Sequence, residues 1–373
     1  MKILFYSPVH LMHGGGCERW HIDVLNRFKN TYQHQVRLIT GDFGGNDLPK
    51  SEVKKRLNGI DYQIIKTKKV WGGIARVPNE EGRKIIEEAV KEADAVHFIF
   101  GFFGQDSMMK RLKRKYGTKI VAGIHAPLFY ENKSHNLYVA LYSRFFTMPK
   151  FDGFMALNPG EYKILKKWNL PNAHFIPSGV DVNKFVAKSE LRKKDTLTFL
   201  FAGRYEMQKA PDIAAKAITK FIEKTGAKDV LFNFIGSGSM EKYISEIAEI
   251  YPNQVKNIGY STQPVPFFQA CNLFFLPSRQ EPFGLVVVEA MATGAPVLAS
   301  KSEGPTLMVT EGKTGYFFEE LTSSSVAKTL TKVYELWKKD SKVFERMKNA
   351  MRKQAEKYSI DASVEKMNKR FFT

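Results

Sequence analysis

The 373-residue sequence predicts an α/β protein made of two doubly wound, Rossmann-like domains in series. Three observations carry this prediction. The chain is longer than a single hydrophobic core usually supports. Short apolar runs alternate with helical segments along its whole length, which is the pattern of parallel strands joined by crossover helices. After a polar, basic stretch, "VAKSELRKKD" at 186–195, the alternation starts afresh.

In the first half, "KILFYSP" (2–8) is an apolar strand that ends in a Ser-Pro turn and leads through "HLMHGGG" into a helical segment from Cys17 to Phe28. Strands follow at "HQVRLIT" (34–40), "YQIIKT" (62–67), "AVHFIFG" (95–101), "KIVAGIH" (119–125), "GFMALNPG" (153–160) and "HFIPSG" (174–179), with helical material such as 80–93 between them. The second half opens on "TLTFLFAGR" (196–204). It continues with a helix at 211–226 that has Pro at its start and Gly at its end. Further strands are read at 231–238, 255–260, 271–278, 295–300 and 315–318. The expected domains are residues 1–180 and 181–354, with 355–373 packing back on the first. Open parallel sheets bind ligands at the carboxyl ends of their strands, so two such units facing each other are expected to line a cleft. The conspicuous turns fall at those ends: 13–16, 101–104, 123–127, 202–209, 236–239 and 278–285.

Composition narrows the classes. With 43% hydrophobic and 25% charged residues the chain is an ordinary globular protein, and no apolar run reaches the length of a membrane span. The amino terminus runs directly into strand-like residues, without the features of a cleaved leader. Cys17 and Cys271 stand far apart with no CxxC partner, which points to a reducing, cytoplasmic setting and away from a structural zinc or iron–sulfur site. The net charge of +19 divides into +12 over residues 1–180 and +7 over 181–373, and residues 101–180 hold 12 basic against 4 acidic side chains. Such a field draws polyanions: nucleic acid, phosphorylated small molecules or an anionic membrane face.

Each turn has a chemical and a plain structural reading. "HGGGCERW" (13–20) lets backbone approach a phosphate or sugar at a helix N-terminus, or is simply a tight turn. It is not GxGxxG, and only Asp42 could stand in for the acidic residue that a nicotinamide dinucleotide needs. In "GRYEMQKAPD" (203–212), Arg204 and Lys209 are either solvated surface or two charges set to meet one diphosphate. Gly236 and Gly238 in "FIGSGSM" suit a base or ribose, or an ordinary turn. His125 at the end of its strand is a packing residue or a group facing the reaction centre. Glu281 and Glu289 flank the apolar run of "SRQEPFGLVVVEAMATGAPVLAS" (278–300). A carboxylate next to apolar residues needs hydrogen-bond donors, and sugar or ribose hydroxyls would supply them.

Taken together, and in this order, the motifs resemble those of the retaining glycosyltransferases of family GT4, which have the GT-B fold. The stretch 274–300 matches the E-x7-E signature through Glu281 and Glu289, and "GGGCE", "FAGRYEMQKAPD", "FIGSG" and "EGKTGYFF" match its other elements, so the resemblance covers nearly the whole chain. It implies a nucleotide-sugar donor, UDP- or GDP-linked, bound by the second domain, with the acceptor on the side of the first. Arg204 and Lys209 would bind the donor diphosphate and stabilise charge on the leaving nucleotide. Glu281, with the backbone of Phe283, Gly284 and Leu285, would hold the donor sugar, and Glu289 the ribose. Gly15 and Gly16 would bring backbone against the phosphates, Gly236 and Gly238 would serve the nucleotide, and His125 would line the reaction centre.

Two departures stand out. Where the family has Lys-Gly, this chain has Lys209-Ala210-Pro211, a change that costs little unless φ at Ala210 is positive. Where members often carry Gly-Gly-x-x-Glu, this chain reads "KSEGPTLMV", with Leu307 or a neighbour in place of the carboxylate. Transfer with retention places the acceptor hydroxyl on the face of the departing phosphate, whose oxygen then serves as base, and a paired-carboxylate arrangement is not required. Without a DxD-like acidic pair, Arg and Lys are expected to neutralise the diphosphate with no metal and no other cofactor.

The acceptor could be lipid-linked, a glycan or a small molecule. Lys110, Arg111, Lys113, Arg114 and Lys115 beside Met108, Met109 and Leu112 suit peripheral contact with an anionic membrane, or an ordinary solvated helix. The aromatic and basic segment 129–149 lies in the same half. Two other classes stay in view: a GT-B enzyme of another kind, such as an epimerase or phosphorylase, and a basic nucleic-acid binder. The latter has only charge in its favour, since no nucleic-acid-binding module is recognisable, and no nucleic-acid partner is expected.

Overall fold

The computed structural model describes residues 1–13, 15–44, 48–70, 75–102, 104–125, 128, 136–192 and 195–373. Parts of the predicted turns (Gly14, residues 103 and 126–127), of the aromatic segment (129–135) and of the basic stretch (193–194) lie outside the described residues. The chain divides into two compact units, Met1–Gly179 with Ile360–Thr373, and Val180–Ser359.

In the first unit a seven-stranded sheet is built from β1 (Lys2–Val9), β2 (Gln35–Phe43), β3 (Asp61–Ile65), β6 (Ala95–Ile99), β7 (Lys119–Ile124), β8 (Gly153–Ala156) and β9 (Ala173–Phe175). They are ordered β3-β2-β1-β6-β7-β8-β9, and every pairing is parallel. The antiparallel hairpin of β4 (Thr67–Val70) and β5 (Ala75–Pro78) was not foreseen, because its strands are short and rich in lysine and arginine. It occupies Asp42: the Thr67 backbone N–H donates to the Asp42 carboxylate at 3.0 Å and Arg76 lies 3.7 Å away. One oxygen of the Asp42 carboxylate is thus engaged by the hairpin.

The second unit holds a six-stranded parallel sheet in the order β12-β11-β10-β13-β14-β15. Its strands are β10 (Leu197–Ala202), β11 (Val230–Ile235), β12 (Val255–Gly259), β13 (Leu273–Leu276), β14 (Val297–Ala299) and β15 (Gly315–Phe317). Strands β10, β13 and β14 are buried at every position, as expected of parallel strands covered on both faces. Both sheets reverse direction beside their first strand, between β1 and β6 and between β10 and β13. These reversals are the topological switch points at which doubly wound folds hold ligands.

The return to the first unit starts later than the sequence suggested. Residues 355–359 stay with the second unit: Ala355 is fully buried in its core, and the Tyr358 carbonyl accepts the Val180 N–H at 3.0 Å. The last helix, Ile360–Phe371, then packs on the first unit. Arg27 pairs with Asp361 at 2.8 Å, Ser363 donates to the Pro177 carbonyl at 2.8 Å, and the Phe372 ring lies 5.3 Å from that of Phe28. A Cβ on Gly153 would come within 2.7 Å of the Phe371 ring, so a glycine in β8 makes room for the closing aromatic.

The helix Gln105–Tyr116 turns its apolar side chains inward. Met108, Met109 and Leu112 are buried in the first core, so its apolar face is not free to meet a membrane. Lys113 and Lys115 are engaged with Asp152 and Glu87. Among the described residues no helix is long and apolar enough to cross a membrane.

Candidate active site

The carboxyl ends of β10 and β13, neighbours at the switch point, carry the loops that hold the predicted donor residues. After β10 comes exposed Arg204, then a 3-10 turn, Met207–Lys209, and Ala210, from which the helix Pro211–Thr225 departs. After β13 the chain turns through residues 277–284 into the helix Leu285–Ala292. The Lys209 ammonium donates to the Glu281 carboxylate across the two loops, with side chains 15% and 9% exposed.

A second ion pair, missed in the sequence, fixes this geometry. The Arg279 guanidinium grips both oxygens of Asp212 at 2.9 and 2.7 Å and donates to the Met207 carbonyl at 2.8 Å, while its backbone N–H reaches the Gln208 carbonyl. These hydrogen bonds hold the Asp212 carboxyl below the ordinary carboxylate range. The one signal was position, Arg279 two residues before Glu281 and Asp212 in the "APD" that opens the helix. Together the two pairs tie the lysine-bearing turn to the glutamate-bearing turn at both ends.

Ala210 takes the left-handed conformation, φ 53° and ψ 51°, and is fully buried. The departure from Lys-Gly therefore falls where a glycine backbone is wanted, and the alanine is held there by its surroundings. Gly236 and Gly238 have positive φ and a packing reason for being glycine. A Cβ on Gly236 would stand 1.9 Å from the Gly203 carbonyl oxygen, and one on Gly238 would stand 2.6 Å from that of Tyr205. The Tyr205 N–H donates to the Ser237 carbonyl at 2.8 Å, so this glycine turn lies directly against the arginine-bearing loop.

Gly284, at φ 87°, turns the chain from Glu281 into its helix. Phe283 is buried, with its ring 5.8 Å from Tyr358. Leu285 opens the helix half-buried, and Glu289 lies further along it at 4% exposure. The Glu281 carbonyl accepts the Gly304 N–H at 2.8 Å, and a Cβ there would strike the Phe283 carbonyl, so Gly304 of the "KSEGPTLMV" segment buttresses the loop. Leu307 is half-buried, and its carbonyl accepts the Tyr358 hydroxyl at 3.1 Å.

In the first unit, Gly15 caps the helix Gly16–Asn30 with φ −71°, an ordinary extended conformation. A glycine is not needed there for backbone shape. His125 directly follows β7 and is rooted in a cluster not anticipated from the sequence: Trp20 at 4.8 Å, His21 at 5.5 Å and His97 at 5.8 Å between ring centroids. A Cβ on Gly123 would sit 2.6 and 2.7 Å from the Nε2 atoms of His125 and His97, so that glycine clears the space the two imidazoles fill. Burial pushes His21 down to about 4 and His97 to about 3. Burial and the two neighbouring histidines likewise lower His125 well below 6.5. His125 is thus a neutral imidazole at neutral pH, able to donate or accept a hydrogen bond. Ring nitrogens of His21, His97 and His125 lie within 4.8 Å of one another, making this the one group among the described residues that could hold a metal ion.

Two doubly wound parallel units, with a basic turn tied to a glutamate turn at the switch point of the second, are the elements of the GT-B architecture. The comparisons agree with that class. Residues 14–184 match the family profile described as Glycosyltransferase Family 4, and residues 182–357 match that of Glycosyl transferases group 1. The two profiles meet at 182–184, and the chain belongs to the GT-B glycosyltransferases of this family pair. Among curated relatives, the UDP-Gal:alpha-D-GlcNAc-diphosphoundecaprenol alpha-1,3-galactosyltransferase of Escherichia coli is 28% identical over 52% of this chain and 52% of its own length. A D-inositol 3-phosphate glycosyltransferase of Streptomyces avermitilis is 27% identical over 46% of this chain and 38% of its own. The matched stretches thus span about half of these relatives or less. In fold, the Anabaena HepE structure with UDP and glucose superposes with a TM-score of 0.76 at 19% identity, covering 99% of this chain and 98% of that one.

Proposed function

We propose that the protein transfers a hexosyl group, with retention, from a nucleotide-diphosphate sugar to an acceptor hydroxyl. The observation that carries this reading is the Lys209–Glu281 pair at the β10/β13 switch point, with Arg204 exposed beside it. One loop offers two cations to a diphosphate, and the next offers a carboxylate to sugar hydroxyls. As the bond from the anomeric carbon to the phosphate oxygen breaks, its electron pair passes to the diphosphate. Arg204 and Lys209 then face more negative charge than in the ground state. The acceptor oxygen bonds to the anomeric carbon on the same face, and its proton passes to the departing phosphate oxygen. Glu289 would take the ribose hydroxyls, and neutral His125 would hydrogen-bond near the transferred sugar.

A UDP donor is favoured over GDP: HepE, of the same fold, has been captured with UDP and with UDP-glucose, and the Escherichia coli relative is named for UDP-Gal. That relative's acceptor is carried on a diphosphoundecaprenol, which supports a lipid-linked acceptor here. Two lysine or arginine groups suffice for the diphosphate, so the reaction is proposed to need no metal. Two free cysteines, one of them fully buried, fit a reducing cytoplasm.

Incubation with labelled UDP-, GDP- and ADP-sugars tests the reading without knowledge of the acceptor. Slow donor hydrolysis, selective for one nucleotide and lost in Lys209→Ala, is expected. Absence of hydrolysis and of saturable nucleotide binding for all three would overturn it.

A further inference from the structure

The first unit carries an apolar surface that neither core explains. Leu137, Leu141, Tyr142, Phe145 and Phe146 are 60, 57, 43, 57 and 59% exposed. The last four fall on one face of the π-helical segment Tyr138–Thr147, and Leu137 immediately precedes it. The opposite face, buried against the unit, presents Tyr138, Val139, Ser143 and Thr147. Amphipathicity is inverted: the outward face is the more apolar of the two. A contiguous apolar patch of this kind on a protein surface marks an interaction site, whereas single exposed apolar side chains are ordinary.

Its charge identifies the occupant. The Lys110 ammonium lies 5.7 Å from the centre of the Tyr142 ring, and the Arg144 guanidinium lies 4.8 Å from that of Phe145 and 5.1 Å from that of Trp168. Exposed Arg111 and Arg114 stand on the same helix as Lys110. Lys110 and Tyr142, 32 positions apart in sequence, therefore join the basic cluster to the aromatic segment. The acidic side chains of this stretch do not offset it. Among the described residues of 101–180, Asp106 and Glu161 are buried and Asp152 is taken up by Lys113.

We propose that this surface docks on an anionic lipid bilayer, with Leu137, Leu141, Phe145 and Phe146 entering the boundary between headgroups and acyl chains, and Lys110, Arg111, Arg114 and Arg144 meeting lipid phosphates. Aromatic and leucine side chains framed by cations are the composition of interfacial membrane helices. The Tyr and Trp rings beside the cations suit the headgroup layer. The surface lies on the first unit and the nucleotide-sugar loops on the second, so each can be altered by substitutions that leave the other's residues in place.

Sedimentation with phosphatidylcholine vesicles, with and without phosphatidylglycerol, tests the proposal. The protein is expected to pellet with the phosphatidylglycerol vesicles alone, and less so as salt is raised. Phe145→Ser with Phe146→Ser should weaken partitioning on the order of tenfold with an unchanged melting temperature, since both side chains are exposed. Leu137→Ser with Leu141→Ser provides an independent pair should the first disturb the fold. Arg111→Glu with Arg114→Glu should weaken binding while leaving donor hydrolysis intact. Failure to pellet with anionic vesicles at low salt, or pelleting unaffected by both apolar pairs, overturns the proposal. So does a dimer that either apolar pair converts to monomer, for the face would then belong to a second copy.

Discussion

Lys209 donates to Glu281 from one strand end to the next, so the cation assigned to the donor diphosphate and the carboxylate assigned to the donor sugar already satisfy each other. Lys209→Met should leave the mostly buried Glu281 without its ammonium and cost about 1–3 kcal/mol of stability, read as a fall in melting temperature. Converting Glu281 to Gln in the same chain should restore part of that loss without restoring turnover. A single Lys209→Met variant as stable as wild type would show that the pair is not formed in solution.

Arg204 is exposed, and removing it should leave melting unchanged. If its charge acts on the leaving diphosphate, Arg204→Ala lowers kcat more than it weakens nucleotide affinity, because the interaction strengthens toward the transition state. Equal losses in both would make it a ground-state tether. EDTA is expected to leave wild-type turnover unchanged, and activity lost in EDTA and restored by magnesium or manganese would refute the metal-free mechanism.

Glu289 sits at 4% exposure along the helix that follows the glutamate turn. Loss of a charge-assisted hydrogen bond to ribose in Glu289→Ala should weaken nucleotide binding by roughly 1.5–3 kcal/mol. Calorimetry against UDP and GDP measures it; an unchanged Kd with an intact melting transition rules out the ribose assignment.

Ala210 at φ 53° is strained where a glycine is at ease. Ala210→Gly should raise stability by roughly 0.5–1 kcal/mol, the relief of the left-handed conformation being partly offset by the freer unfolded chain. Denaturant midpoints compare the two chains, and a destabilised variant would mean that packing of the buried methyl outweighs backbone strain.

Asp106 is fully buried, and burial raises its carboxyl to about 8 from an ordinary 3.8. Between those values the folded chain keeps a proton that the unfolded chain releases, so stability falls as pH rises through the window, by up to about 1.4 kcal/mol per unit. His21 acts in the opposite sense over an overlapping window: it is lowered from 6.5 to about 4, so the unfolded chain takes up a proton that the folded one refuses, stability falls as pH drops below 6.5, and the two slopes offset each other between about 4 and 6.5. Asp106→Asn should remove this downward slope, steepening the rise below pH 6.5, flattening the curve from 6.5 to about 8 and moving the pH of maximum stability upward. Melting curves from acid to alkaline pH decide the matter, and an unaltered slope between 6.5 and about 8 contradicts the assignment.

All seven strands of the first sheet and all six of the second lie within two residues of an expected start, because parallel strands buried on both faces read as unbroken apolar runs. The β4/β5 hairpin escaped notice since "TKKV" and "ARVP" lack such runs. Candidate residues were legible where chemistry and turn coincide, and of these the structure brings Lys209 and Glu281 together. Supporting contacts were not: Arg279 and Asp212 are 67 positions apart, and His21, His97 and His125 meet only once three elements have packed. In the helix Gln105–Tyr116 the sequence left two readings open because a core-facing methionine stripe and a membrane-facing one have the same period, and Met108 and Met109 face the core.

The closing helix Ile360–Phe371 also has a meaning in time. Residues 1–179 leave the ribosome first, yet Phe371 and Phe372, both essentially inaccessible, complete their core. The whole second unit, residues 180–359, is synthesised in between, a delay of roughly 10–40 s at bacterial or eukaryotic elongation rates. During that interval the surface around Phe5, Phe28 and Gly153 lacks its final aromatic cover. The unit begun before residues 180–359 is thus completed after them, and a nascent chain that stalls short of Ile360 presents a greasy seam for chaperones to guard.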